Sequence, residues 1–178
     1  MGARLSGEIT ARHGADARAE LRRGPFYAFA GYSYGWTEYE SVQADFGVWF
    51  GEPVQSYHPS HDRRHQASVL TSLELGRYTF AARWEFGSGF PFTRIIGFDE
   101  VLDFRPGLPR VQGTYGATRV LLDRPFDGRL PPTHRLDVSL ERRVAIKSRQ
   151  LQLQAGVVNA YDRTNIFYYD IFTTRRVD

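Results

Sequence analysis

The residues best suited to chemistry lie in one histidine-rich segment, the His-Pro-Ser-His-Asp-Arg-Arg-His run at 58–65. Imidazole and carboxylate groups are ligands of Zn²⁺, and the candidate ligands in this segment are His58, His61, Asp62 and His65. Pro59 and the apparent start of a strand at Arg64 prevent these side chains from sharing one helical face. The segment is therefore interpreted as the structured end of a loop, and no metal is expected.

Acid–base catalysis by loop carboxylates is a second candidate chemistry, with Asp45, Asp99, Glu100 and Asp103 as the acids. Connecting segments are usually polar, and no Ser-His-Asp order accompanies these residues. The chain has no cysteine, which excludes disulfides, thiolate zinc sites and cysteine nucleophiles. These observations favour a protein that is not an enzyme and that carries no cofactor.

The connecting segments are also rich in aromatic rings, namely Phe46, Trp49, Phe50, Tyr57, Phe90, Phe92 and Phe98. Such rings stack on aromatic or sugar ligands, and they equally pack loops against one another. Both interpretations stay open, so no ligand-binding residue is assigned.

Composition narrows the class of protein. A hydrophobic share of 42% and an aromatic share of 15% exclude intrinsic disorder, and no apolar run is long enough for a membrane helix. The net charge is +3, carried almost entirely by arginines that alternate with acids, which argues against nucleic-acid binding. The first residues lack the apolar run of a secretory signal, which indicates a cytosolic protein or a piece of a longer one.

Strict alternation of apolar and polar residues predicts the strands that would position these groups. In the segment 134–144, Leu136, Val138 and Leu140 share one face, while the opposite face carries Arg135, Asp137, Ser139 and Glu141. The pattern resumes at 150–157 after a five-residue turn at 145–149. Similar strands are predicted at 16–23, 26–36, 64–75 and 78–86, with an extension of the second at 38–43. Residues 166–169 are a candidate for part of one more strand, and residues 7–12 fit either a loop or a strand.

The connections between these strands alternate in length. Gly24-Pro25, Gly76-Arg77 and 145–149 are short, whereas 37–62 and 87–133 are long, and the first of these two is irregular. In an antiparallel meander this puts every short turn at one end of the sheet. Aromatic residues flank the strand ends, with alanines between them. Outer-membrane β-barrels have this turn asymmetry and these aromatic girdles, with a face toward lipid and a polar interior.

Four stretches in order resemble the C-terminal part of the barrel of TonB-dependent outer-membrane receptors. They are Gly31-Tyr32-Ser33-Tyr34, Asp62-Arg63-Arg64-His65-Gln66, the 84–93 run Trp-Glu-Phe-Gly-Ser-Gly-Phe-Pro-Phe-Thr, and His134-Arg135-Leu136-Asp137 followed by the 157–165 run Val-Val-Asn-Ala-Tyr-Asp-Arg-Thr-Asn. The likeness covers most of residues 14–170.

The resemblance implies a 22-stranded barrel closed by an N-terminal plug. Such receptors import a ferric siderophore, cobalamin or a glycan, powered by the TonB complex. The chain departs from this pattern, because its 178 residues provide only about six to eight strands. Plug, signal peptide and last strand are absent from it. The resemblance thus implies a single segment, 1–178, of a longer protein in the Gram-negative outer membrane, in contact with lipid, plug and TonB complex.

The resulting expectation is an all-β, antiparallel meander that forms part of a transmembrane barrel, with no catalytic or metal site. Inward-facing Arg83, Arg135 and Glu141 are expected to pair across strands or to meet plug residues. Two alternatives stay open: a small complete outer-membrane barrel with enzymatic loops, and a soluble β-sheet binding module. The transported substrate does not follow from the sequence.

Overall fold

The computed structural model describes residues 8–42, 44–103 and 112–169. The protein is all-β, with 67% strand and 3% helix. Its elements are β1 (Glu8–Arg23), β2 (Phe26–Val42), α1 (Ala44–Phe50), β3 (Val54–Tyr57), β4 (His65–Leu75), β5 (Tyr78–Gly87), β6 (Pro91–Phe92), β7 (Ile95–Asp103), β8 (Gln112–Leu122), β9 (Gly128–Arg129), β10 (Thr133–Ile146) and β11 (Arg149–Val157).

The chain divides into two compact units. We call the first the strand unit, which comprises Ala11–Thr37, His61–Phe90 and Leu130–Asp178. The second, the loop unit, comprises Met1–Thr10, Glu38–Ser60 and Pro91–Arg129.

The strand unit contains an antiparallel meander in the order β1-β2-β4-β5-β10-β11. Tight turns join β1 to β2, β4 to β5 and β10 to β11, and each contains a residue with positive φ: Gly24 (57°), Gly76 (62°) and Lys147 (54°). Glycine adopts this conformation without a Cβ clash, which explains two of the three turns. The sheet is not closed.

The predicted strands agree closely with the observed ones. Strands β4 and β5 lie within one residue of their predicted limits, and β2 runs on to Val42 as the 38–43 extension predicts. The segment 7–12 belongs to β1 from Glu8 onward. The five-residue turn at 145–149 is wrong, because β10 and β11 continue pairing to Ile146 and Arg149. Only Lys147 and Ser148 remain between the two strands.

The prediction of irregular structure for 37–62 is also wrong, and the long connection at 87–133 contains strands of its own. Residues 44–57 form α1 and β3, and β3 pairs with the end of β2 from Tyr39 to Val42. Strands β7 and β8 form a long hairpin, with register shifts between Ile95 and Gly97 and between Glu100 and Leu102. Irregular pairing of this kind breaks the period-two pattern from which strands are read.

The described part of the C-terminal segment contains no strand beyond Val157. Residues 166–169, the candidate for part of one more strand, have no regular structure, and residues 170–178 lie outside the described residues. Within the described ranges, no helix is long and apolar enough to cross a membrane.

Candidate functional site

The register of the strand unit gathers the apolar residues of separate strands onto one face. Cross-strand partners lie on the same side of a sheet, and the pairings of β2, β4, β5, β10 and β11 place Phe26, Leu73, Phe80, Leu140 and Ala155 in one row. A second row contains Ala30, Val69, Trp84 and Leu136. We call this surface the apolar face. It confirms the predicted alternation in β10.

The apolar face is exposed. Phe80 is 47% exposed, Val138 37%, Leu151 43% and Leu153 52%. Among the described residues, Tyr57 and Leu130 are the only buried hydrophobic ones. A large exposed apolar surface marks a site of contact with a membrane, a ligand or another protein.

The opposite side of the sheet, the polar face, carries the acids. The described strand residues of this unit include six carboxylates, and the register and alternation place all six there: Asp16, Glu20, Glu74, Glu85, Asp137 and Glu141. The Arg22 guanidinium covers the Tyr27 ring at 4.9 Å, which ties this side of β1 to the polar side of β2. Charge is therefore sorted by face and not merely dispersed along the strands.

An ion-pair ladder crosses the polar face between β5 and β10. Glu85 pairs with Arg83 on its own strand and with Arg135 across the sheet at 3.5 Å. Arg135 also pairs with Asp137 at 3.0 Å, while Glu141 pairs with Arg143 at 2.9 Å. Arg135 therefore pairs across strands as expected, whereas Arg83 and Glu141 form ion pairs within their own strands. Because these groups are partly exposed, each pair contributes at most about 1 kcal/mol to stability.

Two of the stretches that carry the family resemblance meet at the loop end of the sheet. The Arg63 Nε–H donates to the Ser88 carbonyl at 3.2 Å, and its guanidinium also donates to the Thr133 hydroxyl and covers the Phe90 ring at 5.1 Å. A Cβ on Gly87 would lie 1.7 Å from this guanidinium, so only glycine leaves room for it. Burial lowers the pKa of Arg63, and Glu85 acts in the opposite direction.

The neighbouring Asp62 fixes the same strand ends. Its side chain is 3% exposed and accepts a hydrogen bond from the Thr37 backbone N–H at 3.1 Å and from Arg64 at 3.4 Å. The Ser88 N–H donates to the His65 carbonyl at 2.8 Å, and the Ser88 hydroxyl accepts from the His65 N–H at 3.1 Å. These contacts join β4 to the end of β5.

The two parts of the fourth stretch, in β10 and after β11, also lie in contact. The Asn165 side chain accepts from the His134 N–H at 3.0 Å and donates to the His134 carbonyl at 3.1 Å. Asp137 accepts from the Asn159 N–H at 3.0 Å. The C-terminal segment thus satisfies the β10 backbone with one side-chain amide, that of Asn165, and with the Ala160 N–H, which donates to the Leu136 carbonyl at 2.7 Å.

A cavity of about 680 Å³ opens in the strand unit, beside these contacts. Charged residues on its lining include Asp16, Arg18, Arg63, Glu85 and Arg135. The Arg135 Nε–H is buried and makes no hydrogen bond within the described structure.

The histidine-rich segment does not gather its side chains into a metal site. His65 Nδ1 lies 2.7 Å from the Tyr32 hydroxyl, and Asp62 accepts from Thr37 and Arg64. In the described ranges no three His, Cys, Asp or Glu side chains are grouped to hold a metal. His58 is half-buried in the loop unit, and His61 is exposed in the strand unit.

The candidate loop acids are dispersed. Asp99 lies in β7 opposite Arg119, and Glu100 and Asp103 lie on the same strand. Asp45 lies in α1. The side chains of Asp45, Glu100 and Asp103 fall outside the described part of the structure.

Some of the loop aromatics are packed inside the loop unit, and others are exposed to solvent. Tyr57 is buried, stacks on Phe126 at 5.4 Å and meets the Tyr39 ring edge-on at 6.0 Å. Trp49 is 64% exposed and Phe98 51%. Phe50, Phe90 and Phe92 are half-buried, and the Phe46 side chain lies outside the described residues.

Sequence reasoning missed the structural role of Arg63, Gly87 and Gly89. A Cβ on Gly89 would lie 1.6 Å from the Leu130 carbonyl oxygen, so this glycine permits close approach of two backbones. The signal was the Gly-Ser-Gly spacing itself, which marks a close backbone approach.

Comparisons with protein-family models, with curated proteins and with solved structures find no match to this chain.

Proposed function

We propose that this chain is part of the wall of an outer-membrane β-barrel of the TonB-dependent receptor type, with its apolar face in lipid hydrocarbon. The observation that carries the proposal is the sorting of charge: all six strand carboxylates described in the strand unit lie on the polar face. A water-soluble sheet that exposed both faces would gain nothing from this separation, whereas a carboxylate in hydrocarbon is costly.

Strand length supports a membrane setting. A strand tilted at about 45° crosses hydrocarbon in about 9–11 residues. Strands β4, β5 and β11 contain 11, 10 and 9 residues. The tight turns at one end of the strand unit agree with the short periplasmic turns of such barrels.

The role of the intact protein follows from the family resemblance. It would capture a scarce nutrient, such as a ferric siderophore, cobalamin or a glycan, and import it with energy from the TonB complex. The polar face, with its ion-pair ladder and cavity, would then line the barrel interior. Contacts among the four resembling stretches support this proposal, because the residues that carry the likeness also hold the loop ends of the strands together.

Fluorescence quenching by lipid tests the membrane part of the proposal. In the Trp36→Phe/Trp49→Phe variant, Trp84 on the apolar face is the remaining tryptophan. After reconstitution into phosphatidylcholine vesicles, lipids brominated in their acyl chains should quench Trp84 strongly. The matched Trp36→Phe/Trp84→Phe variant retains Trp49 of the loop unit and should be quenched far less. Equal, weak quenching of both variants would contradict the proposal.

Gene disruption tests the transport part. Loss of the complete reading frame that encodes the chain should prevent growth on one limiting nutrient, supplied as a ferric siderophore, cobalamin or glycan. Restoration of the frame should restore growth. Unchanged growth on all three classes, together with quenching of Trp84, would leave a membrane barrel with another task, such as the barrel enzyme. A monodisperse monomer in detergent-free buffer would favour the soluble binding module.

A further inference from the structure

Histidines occupy one band of the apolar face, at the end where β4 and β10 begin. Three of the five histidines of the chain lie on strands of the strand unit: His13, His65 and His134. His65 pairs in register with Tyr34, and His134 with Phe86, which places both on the apolar face. His13 stacks on Trp36 at 5.4 Å, and Trp36 lies on the same face as Tyr34.

Each histidine of this band contacts an aromatic ring, and two repeat the same hydrogen bond. His65 Nδ1 lies 2.7 Å from the Tyr32 hydroxyl, and His134 Nδ1 lies 2.6 Å from the Tyr161 hydroxyl. In both rings Nε2 is the nitrogen left for a group outside the described chain. An aromatic ring with a polar tip is the side-chain type that collects at the boundary between hydrocarbon and headgroups.

The charged neighbours of the band are few. On the apolar face of the described strand unit, the groups that face these imidazoles from adjacent elements are Tyr32, Tyr34, Trp36, Trp84, Phe86 and Tyr161. The arginines of this face lie near the tight turns at the opposite strand ends: Arg23, Arg142 and Arg149. Among the strand residues described in the strand unit, no carboxylate lies on this face. Strand β2 continues beyond this unit to Glu38, which alternation places on the same side of the strand as Trp36. His65 and His134 therefore have no strand carboxylate of their own unit on their face of the sheet.

We propose that His13, His65 and His134 form a binding surface for the phosphate groups of anionic lipid headgroups, occupied when the imidazoles are protonated. The inference rests on the proposed function, because it needs the apolar face to lie in a membrane. Histidine is the side-chain type whose charge changes between about pH 5 and pH 8. Each added cation near an anionic surface strengthens binding about fivefold. Acidification should therefore tighten attachment to anionic membranes.

Vesicle partitioning of the complete chain tests this proposal. Vesicles of phosphatidylcholine alone are compared with vesicles that also contain phosphatidylglycerol, at pH 8.0 and pH 5.5. The partition coefficient into phosphatidylglycerol vesicles should rise at least about tenfold on acidification, since three imidazoles gain charge. Partitioning into pure phosphatidylcholine should change less than about threefold.

Histidine variants test whether the pH response of partitioning comes from His13, His65 and His134. The His13→Phe/His65→Phe/His134→Phe variant keeps three rings and should lose the pH response while it still binds at pH 8.0. The matched His58→Phe/His61→Phe variant, in the loop-end segment, should retain the response. His134→Phe alone should lose part of it, which keeps the test informative where the triple variant fails to fold.

Three results overturn the phosphate surface. These are partitioning that does not change with pH, an equal rise with both vesicle types, and a full pH response in the triple variant. Failure to partition into either vesicle at either pH is a different result, because it overturns the membrane assignment itself and this inference with it.

Discussion

The two faces of the same sheet are built by alternate residues of the same strands, yet the carboxylates described in the strand unit all lie on one of them. In β10, Val138 is opposite Ala82 and Val157, whereas the adjacent Ser139 is opposite Ala81 and Gly156. Both sides are accessible, so burial inside the chain does not explain the difference. The contrast is what we expect of the proposed barrel wall, with an aqueous interior on one side and lipid hydrocarbon on the other.

The largest expected effect on stability comes from an arginine introduced on the apolar face, compared with an arginine introduced on the polar face. Val138→Arg should lower the free energy of unfolding in phosphatidylcholine bilayers by about 2–4 kcal/mol, the cost of a basic residue near the bilayer midplane. Ser139→Arg should cost less than about 1 kcal/mol. Urea titration of the two vesicle-reconstituted variants measures the difference. Equal, small losses would mean that water touches both faces.

The next largest effect on stability is expected at the loop end of the sheet, where the backbones of Gly89 and Leu130 approach closely. Gly89→Ala should cost about 3 kcal/mol, because its Cβ meets the Leu130 carbonyl and the backbone must move. Gly35→Ala is the matched control, since a Cβ there meets nothing within 4 Å. Denaturant unfolding compares the two variants. Equal stability of the two would contradict the close approach.

A smaller effect is expected where the C-terminal segment satisfies β10. Asn165→Ala removes both hydrogen bonds to the His134 backbone and should cost about 1–3 kcal/mol. Hydrogen exchange at His134 should accelerate accordingly. Thr164→Ala, at an exposed neighbouring position, should leave exchange unchanged. An unchanged rate in the Asn165 variant would show that the segment does not hold this edge.

The smallest effect belongs to the polar face. Glu85→Gln removes the negative charge with which Arg83 and Arg135 both pair and should cost at most about 1 kcal/mol, because the groups are partly exposed. Raising the salt concentration should reduce the cost further. Unfolding measured at low and high salt checks this. A loss of several kcal/mol in the free energy of unfolding that does not depend on salt concentration would mean that water is excluded from the polar face.

Periodicity predicted the long strands well, because a residue facing one medium repeats every second position. The 134–144 pattern defined both faces of β10 before any pairing was known. Register was not readable in the same way, since it depends on partners far along the chain. That is why the single row formed by Phe26, Leu73, Phe80 and Leu140 is visible only in the structure.

The structure of the long connections was predicted poorly, because their strands and helix do not keep a regular period in the sequence. The hairpin of β7 and β8 contains bulges that interrupt alternation, and the short α1 is below the length at which a helical period can be read. In the candidate site, the Arg63–Gly87 contact joins residues from different segments, so neither motif alone revealed it. Nothing in the sequence relates His65 to His134, whereas in the structure each imidazole is hydrogen-bonded to a tyrosine hydroxyl.

Spin labelling along β10 tests the central claim most directly, and the chain suits it because it contains no cysteine. Single cysteines from Leu136→Cys to Glu141→Cys would carry a nitroxide in reconstituted bilayers. Collisions with oxygen should peak at 136, 138 and 140, and collisions with a water-soluble nickel complex should peak at 137, 139 and 141. Nickel accessibility at 136, 138 and 140 equal to that at the odd positions would show that water, and not hydrocarbon, covers the apolar face.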